Sequence, residues 1–501
     1  MISWTDFSLG FLILGISVWF YRRQQNTQRL PYPPGPKGLP FIGTPNGIPL
    51  VEPYKQFIHC SKEYNSDIIR FKLMGTDFVV INSLEGIQEL FDKRSSIYSD
   101  RPYLTMLSEL VGFSWAMPNI GYNDEWRAMH RTFDLAFSKH KLKEYQPIIS
   151  EAIEHLLQRL ETSPEKFIDH FQYTSSRIIM RLTYGIDIAS EGDPYVEIAE
   201  RAMATFGIAA GESYLVDVFP ILKWVPSWFP GASFKRRANA WRPYVKAMAD
   251  KPFEHVKDRM VSLNSPAMIS WCSITPFISE KERDDSPMYS NQPTSSQGGI
   301  ATTVSSLTSF ILAVVLNPEI QTRAQEEIDK VIGRDRLPDY SDYDILPYVG
   351  AIVNEALRWH PAIPIGIYHR LQEDDEFKGY FLPKGSICIA NSWAILHDEK
   401  VYPDPLKFNP DRYFDASGQW DPNVLDPSAA AFGFGKRTCP GRYFGKRNLW
   451  TQIAAILAKF NISRALDENG NEIIPEEEYQ PGLLIFPKPF KCSIVPRSRQ
   501  L

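Results

Sequence analysis

Apolar positions along the chain change period by region, and the changes predict its elements. Between about Val51 and Asp100, two strand-like runs, Ile68-Ile69-Arg70-Phe71-Lys72 and Phe78-Val79-Val80-Ile81, sit among helical stretches. From there to about Val256 the spacing is mainly helical. The cleanest helix is predicted from Asn317 to Gly333. Asn317 can cap it, Pro318 suits its first turn, Ile320, Ala324, Ile328 and Val331 recur on one face, and Gly333 ends it. Glycine, proline and β-branched residues return from Phe377 to Phe414, with a turn at Pro383-Lys384-Gly385. A last long helix is expected after Cys439, running to roughly Ala465. The pattern predicts a mainly α fold with a small β portion (α+β), in one piece over residues 51–501.

Two segments break this pattern. Phe7 to Tyr21 reads FSLGFLILGISVWFY and is followed at once by Arg22 and Arg23. Counted from Ile2, the run is about 20 residues, enough to cross a bilayer as a helix, although Asp6 interrupts it. The positive charges follow the apolar run and no small-residue cleavage site is present, which favours a single-pass anchor over residues 1–23 against a cleaved signal peptide. The same charges predict that everything after them stays cytosolic. Residues 24–50 form a basic, proline-rich hinge around Pro31-Tyr32-Pro33-Pro34-Gly35-Pro36, stiff and extended because proline fixes φ and removes a donor. The second break, Trp271 to Gln297, carries three prolines and many serines and is not expected to form a continuous helix.

Composition is that of a globular protein, 44% hydrophobic and 23% charged in 501 residues. A net charge of −5 gives no reason to expect a nucleic-acid partner. The five cysteines are few, scattered and odd in number, which fits free thiols in a reducing compartment.

One of them is set apart. Phe432-Gly433-Phe434-Gly435-Lys436-Arg437-Thr438-Cys439-Pro440-Gly441 has two glycines before the cysteine and one after, so backbone can approach a bulky planar partner without Cβ clashes. Arg437 adds a cationic fork suited to a carboxylate. Taken alone, this is also the description of a buried free cysteine in a glycine-rich turn. The stretch resembles the cysteine loop of the cytochrome P450 family, F-x-x-G-x-R-x-C-x-G, at every fixed position. The resemblance implies the P450 fold, haem b as cofactor, Cys439 as the iron ligand and Phe432 shielding its sulfur, with Gly441 at the start of the following helix. A cysteinate ligand makes iron electron-rich and favours O–O cleavage.

The resemblance extends over most of the chain. Glu355-Ala356-Leu357-Arg358 alone would pass for a surface i,i+3 ion pair. With Phe408-Asn409-Pro410-Asp411-Arg412 downstream, it implies a buried Glu355–Arg358–Arg412 network of structural importance. Trp126 begins a stretch resembling the family's W-x-x-x-R, in which His130 stands where the arginine is usual. Trp126, His130, His369 and Arg437 are therefore expected at the haem, the last three as donors to its propionates, though each could be an ordinary polar residue. Gly298-Gly299-Ile300-Ala301-Thr302-Thr303 resembles the distal-helix motif, with Thr302 assisting proton delivery and Ala301 in place of the usual acid. A positioned proton donor contributes about 10²–10⁴-fold, so its loss matters.

The resemblance also implies that Tyr103–Ile120, Ala362–Ile367 and Gly482–Phe486 line a substrate pocket, with Met106, Leu110, Phe113, Ile363, Ile365 and Leu484 as contacts for a small lipophilic substrate, although core packing would have the same composition. Lys436, Arg442, Lys446 and Arg447 form either a solvated basic face or a dock for an acidic reductase. The overall expectation is an endoplasmic-reticulum monooxygenase, fungal in style and of secondary metabolism. It would be anchored in membrane lipid and use O2 with NADPH electrons delivered by a P450 reductase. Ala301 leaves open an isomerase or dehydratase that inserts no oxygen. The Trp271–Gln297 segment leaves open an inactive haem-binding relic from an incorrectly joined reading frame.

Overall fold

The computed structural model describes residues 30–39, 43, 44, 48, 51–262 and 292–497. The expected anchor, most of the hinge and residues 263–291 lie outside them. The chain opens with α1 (Pro53–Glu63) and the hairpin β1 (Ile68–Leu73) and β2 (Thr76–Ile81), in register from Ile68↔Ile81 to Leu73↔Thr76. Met74 and Gly75, both at positive φ (46° and 88°), make the two-residue turn that matches strand twist.

A helical stretch follows: α2 (Asp124–Ala136), α3 (Gln146–Thr162), α4 (Phe167–Tyr184), α5 (Pro194–Gly211), α6 (Ser233–Ser262), α7 (Gln292–Leu316), α8 (Pro318–Val331) and α9 (Pro347–Trp359). The start of α2 is set by Asn123, whose side chain accepts from the Trp126 N–H, with Asp124 and Glu125 in the first turn. Short strands β3 (His369–Arg370), β4 (Asp375–Phe377), β5 (Tyr380–Leu382) and β6 (Ile387–Ala390) precede α10 (Arg442–Lys459). The chain closes with β7 (Phe460–Leu466), β8 (Glu472–Ile473), β9 (Tyr479–Gln480), β10 (Phe486–Pro487) and β11 (Cys492–Pro496). The main sheet runs β1-β2-β6-β3, with β2 and β6 parallel, and a second joins β11, β7 and β8.

The largest core lies among α3, α4, α7, α8, α9 and α10, with Leu156, Phe171, Phe310, Ile311, Ile352 and Ile456 fully buried. Helix α7 is buried all round from Leu307 to Val315, Thr308 and Ser309 included, which suits a helix surrounded by others. Its Gly298–Leu316 portion is long and apolar enough to cross a membrane, yet it is mostly buried in this core.

Two sequence expectations need correction. The last helix stops at Lys459, because Phe460 and Ile462 alternate with exposed Asn461 and Ser463 and form a strand against β11. Val331 is 44% exposed, so the buried face of α8 is Ile320, Ala324 and Ile328. Of the stretch Trp271–Gln297, residues 271–291 lie outside the described residues, and the described residues 292–297 open α7, with Pro293 in the first turn, where its missing N–H costs nothing.

Candidate active site

Cys439 lies in the loop that feeds α10. Gly433 and Gly435 adopt φ of 75° and 57°, and a Cβ at Gly435 would sit 1.9 Å from the Phe91 carbonyl oxygen, so only glycine permits this backbone crossing. The Gly435 N–H donates to Asp92 Oδ1 at 2.7 Å. The Cys439 N–H donates to the Phe432 carbonyl at 2.8 Å, and Arg442 Nη1 donates to the Cys439 carbonyl at 3.1 Å. Burial pushes the Cys439 thiol up, while the Gly441 N–H and Arg442 draw it down. The sulfur therefore keeps its proton until a metal ion displaces it. A Cβ at Gly441 would lie 3.8 Å from Sγ, and the Phe432 ring lies beside Gly445.

Next to this loop the structure collects two arginines and a histidine. Arg437 is buried, donating from Nε to the Ser99 carbonyl (2.7 Å) and from Nη2 to that of Ile120 (2.8 Å), with its guanidinium 4.1 Å from the Trp126 ring centre. Its Nη1 is buried without a partner. Buried Arg101 donates to the carbonyls of Pro118, Ile367 and Tyr368. Buried His369 donates from Nδ1 to the Tyr98 carbonyl at 2.6 Å. Burial lowers the pKa of all three: Arg437 to about 9, and Arg101 and His369 well below their usual values. Arg101 and Arg437 also oppose each other, and both oppose a charge on His369. Asp100 is the carboxylate that offsets the two guanidiniums. Buried positive charge with an orphaned N–H calls for anionic oxygens, and the two propionates of haem fit that need.

His130 is placed differently from the expectation. Its Nε2 lies 3.0 Å from the Thr438 carbonyl, which can only accept, so that nitrogen carries the proton. A neutral imidazole has a single N–H, and here it is spent on the cysteine loop instead of being offered to a propionate.

Helix α7 presents the distal stretch. Thr302 Oγ1 donates to the carbonyls of Gly298 (2.9 Å) and Gly299 (3.3 Å), and Thr303 Oγ1 donates to Gly299 (2.7 Å). A Cβ on Gly298 or Gly299 would meet nothing within 4 Å, so open space lies beside both glycines. Ala301 is half-buried and brings no donor.

Glu355, Arg358 and Arg412 are brought together. Glu355 and Arg358 have no exposed surface. Arg358 Nη2 and Nε reach Glu355 at 2.7 and 2.8 Å, and Arg412 Nε reaches it at 3.1 Å. Tyr413 Oη and the Asn409 N–H complete the set.

The six expected pocket contacts divide evenly. Leu110, Ile363 and Leu484 keep partial exposure. Met106 and Phe113 are fully buried against α5 and α6 residues such as Ala202 and Val245, and Ile365 packs with Phe71, Val80 and Trp393 beneath the main sheet. These three are packing residues, because no surface remains for a ligand to touch. The expected pocket segments are nonetheless joined: the Ile485 N–H donates to the Ala362 carbonyl, and Ser305 Oγ on α7 donates to the Ile485 carbonyl at 2.6 Å. The 105–111 segment is fastened to the α5–α6 connection by Lys223–Glu109 (2.7 Å) and by Asp217, which accepts from the Met106 N–H at 2.8 Å. Arg101, Asp92 and Asp217 escaped the sequence reading, since each matters through backbone groups far away in the chain.

The Cytochrome P450 family model matches residues 33–494, and the chain belongs to that family, whose members use haem b with electrons delivered by a reductase. Cytochrome P450 monooxygenase 98 of Postia placenta is 40% identical over 95% of this chain and 92% of its own length. Cytochrome P450 monooxygenase claR of Ampulloclitocybe clavipes is 39% identical over 99% of this chain and 91% of its own. Tryptamine 4-monooxygenase of Psilocybe cyanescens is 36% identical, with 96% of this chain and 96% of that protein covered.

Glu355→Ala would leave the fully buried Arg358 charge uncompensated and is expected to cost about 3–5 kcal/mol, read as a lowered urea midpoint and reduced yield of coloured protein. Burial, against the pull of the Met106 and Thr105 N–H groups, holds the Asp217 carboxyl at about 6, above the ordinary 3.8. The folded state therefore binds this proton more tightly than the unfolded chain, and stability falls as pH rises from 3.8 to about 6. Asp217→Asn keeps an acceptor for Met106 without the charge. The variant should match wild type at about pH 3 and exceed it at about pH 7 in urea unfolding.

Proposed function

We propose that this chain is a membrane-anchored monooxygenase of fungal secondary metabolism, placing one oxygen atom from O2 on a small lipophilic precursor with electrons passed from NADPH through a flavin-bearing reductase. The observation that carries this reading is the meeting of a glycine-framed cysteine with a buried, anion-deficient cluster of Arg101, His369 and Arg437. Bound haem supplies the redox chemistry that activates oxygen. Cys439 would hold the iron, and Arg437 and Arg101 would hold the propionates; His369, expected there as a third donor, is neutral and spends its one N–H on the Tyr98 carbonyl. Glu355, Arg358 and Arg412 keep the scaffold rigid. Leu110, Ile363 and Leu484 offer apolar surface to the substrate. The name of the Psilocybe relative, a tryptamine monooxygenase, agrees with a small natural-product substrate.

Thr302 is the candidate for handing on a proton. Its hydroxyl is engaged with two helix carbonyls, so it acts by releasing one of them and turning toward the open side of the helix. With alanine at 301, its own helical neighbour supplies no acid to refill it.

Membrane attachment is supported by two separate parts of the chain. The apolar run Phe7–Tyr21 supplies an anchor, with the catalytic domain on the cytosolic side of the endoplasmic reticulum. Ile221, Trp224 and Trp228 are 76%, 76% and 77% exposed, with Leu215, Phe219 and Phe229 also open to solvent. Such a run suits the bilayer interface, where tryptophan is favoured. On the cysteine side, Lys436 is exposed and available to steer an acidic reductase, whereas Lys446 pairs with Asp426 at 2.7 Å and Arg447 lies on the Tyr343 ring.

The reduced, carbon-monoxide difference spectrum of the full chain should show thiolate ligation, and Cys439→Ala should abolish it; an unchanged spectrum in the variant overturns the assignment of the iron ligand. Product formed under ¹⁸O2 should carry the label, whereas an isomerase or dehydratase would add none. Ala301→Asp should raise the fraction of consumed NADPH that ends in product, measured as coupling; unchanged or lower coupling refutes the role given to this position.

A further inference from the structure

The placement of His130 has a consequence for the cysteine itself. The Thr438–Cys439 peptide is held at both ends: its C=O accepts from His130 Nε2 at 3.0 Å, and its N–H donates to the Phe432 carbonyl at 2.8 Å. The next carbonyl, that of Cys439, accepts from Arg442 Nη1, which also reaches Asp134 Oδ1 at 3.4 Å. His130 and Asp134 are one turn apart on α2, so a single helix steadies the backbone on either side of the sulfur-bearing residue. The imidazole is fixed in turn. Its ring centre lies 4.7 Å from that of Trp126, and the Arg437 guanidinium lies 4.1 Å from the centre of the same indole. Helix α2 thereby grips Arg437 through a cation–π contact, Thr438 through a hydrogen bond and Cys439 through the Asp134–Arg442 pair.

We infer that His130 is a positioning residue for Cys439, holding the peptide that aims the sulfur, and that the arginine-to-histidine change transfers this position from the carboxylate side of the cofactor to the thiolate side. This rests on the haem-thiolate reading above. The physical reason is donor count. Histidine brings one N–H in its neutral form, and the Thr438 carbonyl takes it, whereas arginine brings five donors and can serve a distant carboxylate. The carboxylate role then falls to Arg101 and the unpartnered Nη1 of Arg437, since His369 likewise spends its one N–H on a carbonyl, that of Tyr98.

Three forms of the full-length holoprotein test this: wild type, His130→Gln and His130→Phe. Phenylalanine keeps a ring against Trp126 and removes only the donor, whereas glutamine keeps an N–H of comparable reach. Two quantities are read on each. One is the ratio of thiolate-ligated to thiol-ligated iron in the reduced carbon-monoxide spectrum as urea is raised; the other is the rate at which haem transfers to excess apomyoglobin. His130→Phe should lower the thiolate ratio about fivefold, the worth of one net hydrogen bond, with haem transfer close to wild type, and His130→Gln should follow wild type in both. If all three share one thiolate ratio while haem leaves His130→Phe faster, the donor serves a propionate and the inference is overturned. Should His130→Phe not accumulate, His130→Asn, whose shorter amide withdraws from the carbonyl, is read in its place with the same two outcomes. A wild-type protein with no thiolate band would instead refute the haem-thiolate reading itself, before any variant is compared.

Discussion

A carboxylate with no access to solvent organises the proximal half of this molecule. Glu355 accepts from Arg358, Arg412, Tyr413 and the Asn409 backbone, and Arg358 spends its remaining donors on the carbonyls of Leu396, Pro405 and Lys407. A charge buried this deeply is tolerated only when every neighbour completes it, so the meander from 396 to 413 has one arrangement open to it. Much of that meander is loop and 3₁₀ turn and has few ladder hydrogen bonds of its own. The ion network does for it what a sheet does for a strand. The short helix Ser428–Ala431, from which the cysteine loop departs, packs on α9 and is positioned through the same frame.

The loop is then held from directions independent of that frame. The π-helical turn Gln88–Lys93 meets it at Gly435, where Asp92 caps the N–H and the Phe91 carbonyl lies too close for any side chain. Helix α2 meets it at Arg437, Thr438 and Arg442. Short, separate contacts of this kind, some to backbone and some to side chains, fix a loop more rigidly than one large apolar contact would, because hydrogen bonds carry direction. A cysteine that must present one lone pair along one axis needs that directional control.

What the sequence disclosed follows the same division between local and distant. The cysteine loop and the Glu355–Arg358 pair are written in consecutive residues, so each is legible as a local motif that resembles the family's, although the pair alone would pass for a surface ion pair. Arg412 is 57 residues from Glu355, and only a second local pattern, the Asn409-Pro410-Asp411-Arg412 stretch, pointed to it. Arg101 carries no such signature: its donors go to Pro118, Ile367 and Tyr368, as many as 267 residues away. For Met106, Phe113 and Ile365 the resemblance points to pocket segments, but their apolar character is one that packing residues share with ligand contacts, so the sequence does not separate the two. The end of the last helix was misplaced because Phe460-Asn461-Ile462 is too short for its period of two to stand out from a helical face, and pairing with β11 decides the matter.

The cationic cluster links stability to cofactor. Arg101, His369 and Arg437 are all buried and all lowered in pKa, Arg101 partly by Arg437 and His369 partly by both arginines, with Asp100 offsetting the guanidiniums. Before the porphyrin carboxylates are in place the folded chain bears this repulsion and the orphaned Nη1 of Arg437. Two carboxylates remove both penalties at once. Ligand binding that relieves a cost present only in the folded state stabilises that state beyond the contacts themselves. The protein therefore holds its cofactor by more than the iron–sulfur bond, and the thiol of Cys439, raised by burial, is free to be tuned for chemistry instead of for retention. On this account the chain can give up the arginine usual at position 130: Arg101 and the unpartnered Nη1 of Arg437 remain for the carboxylates, and a histidine there is better used on the peptide that steers the sulfur.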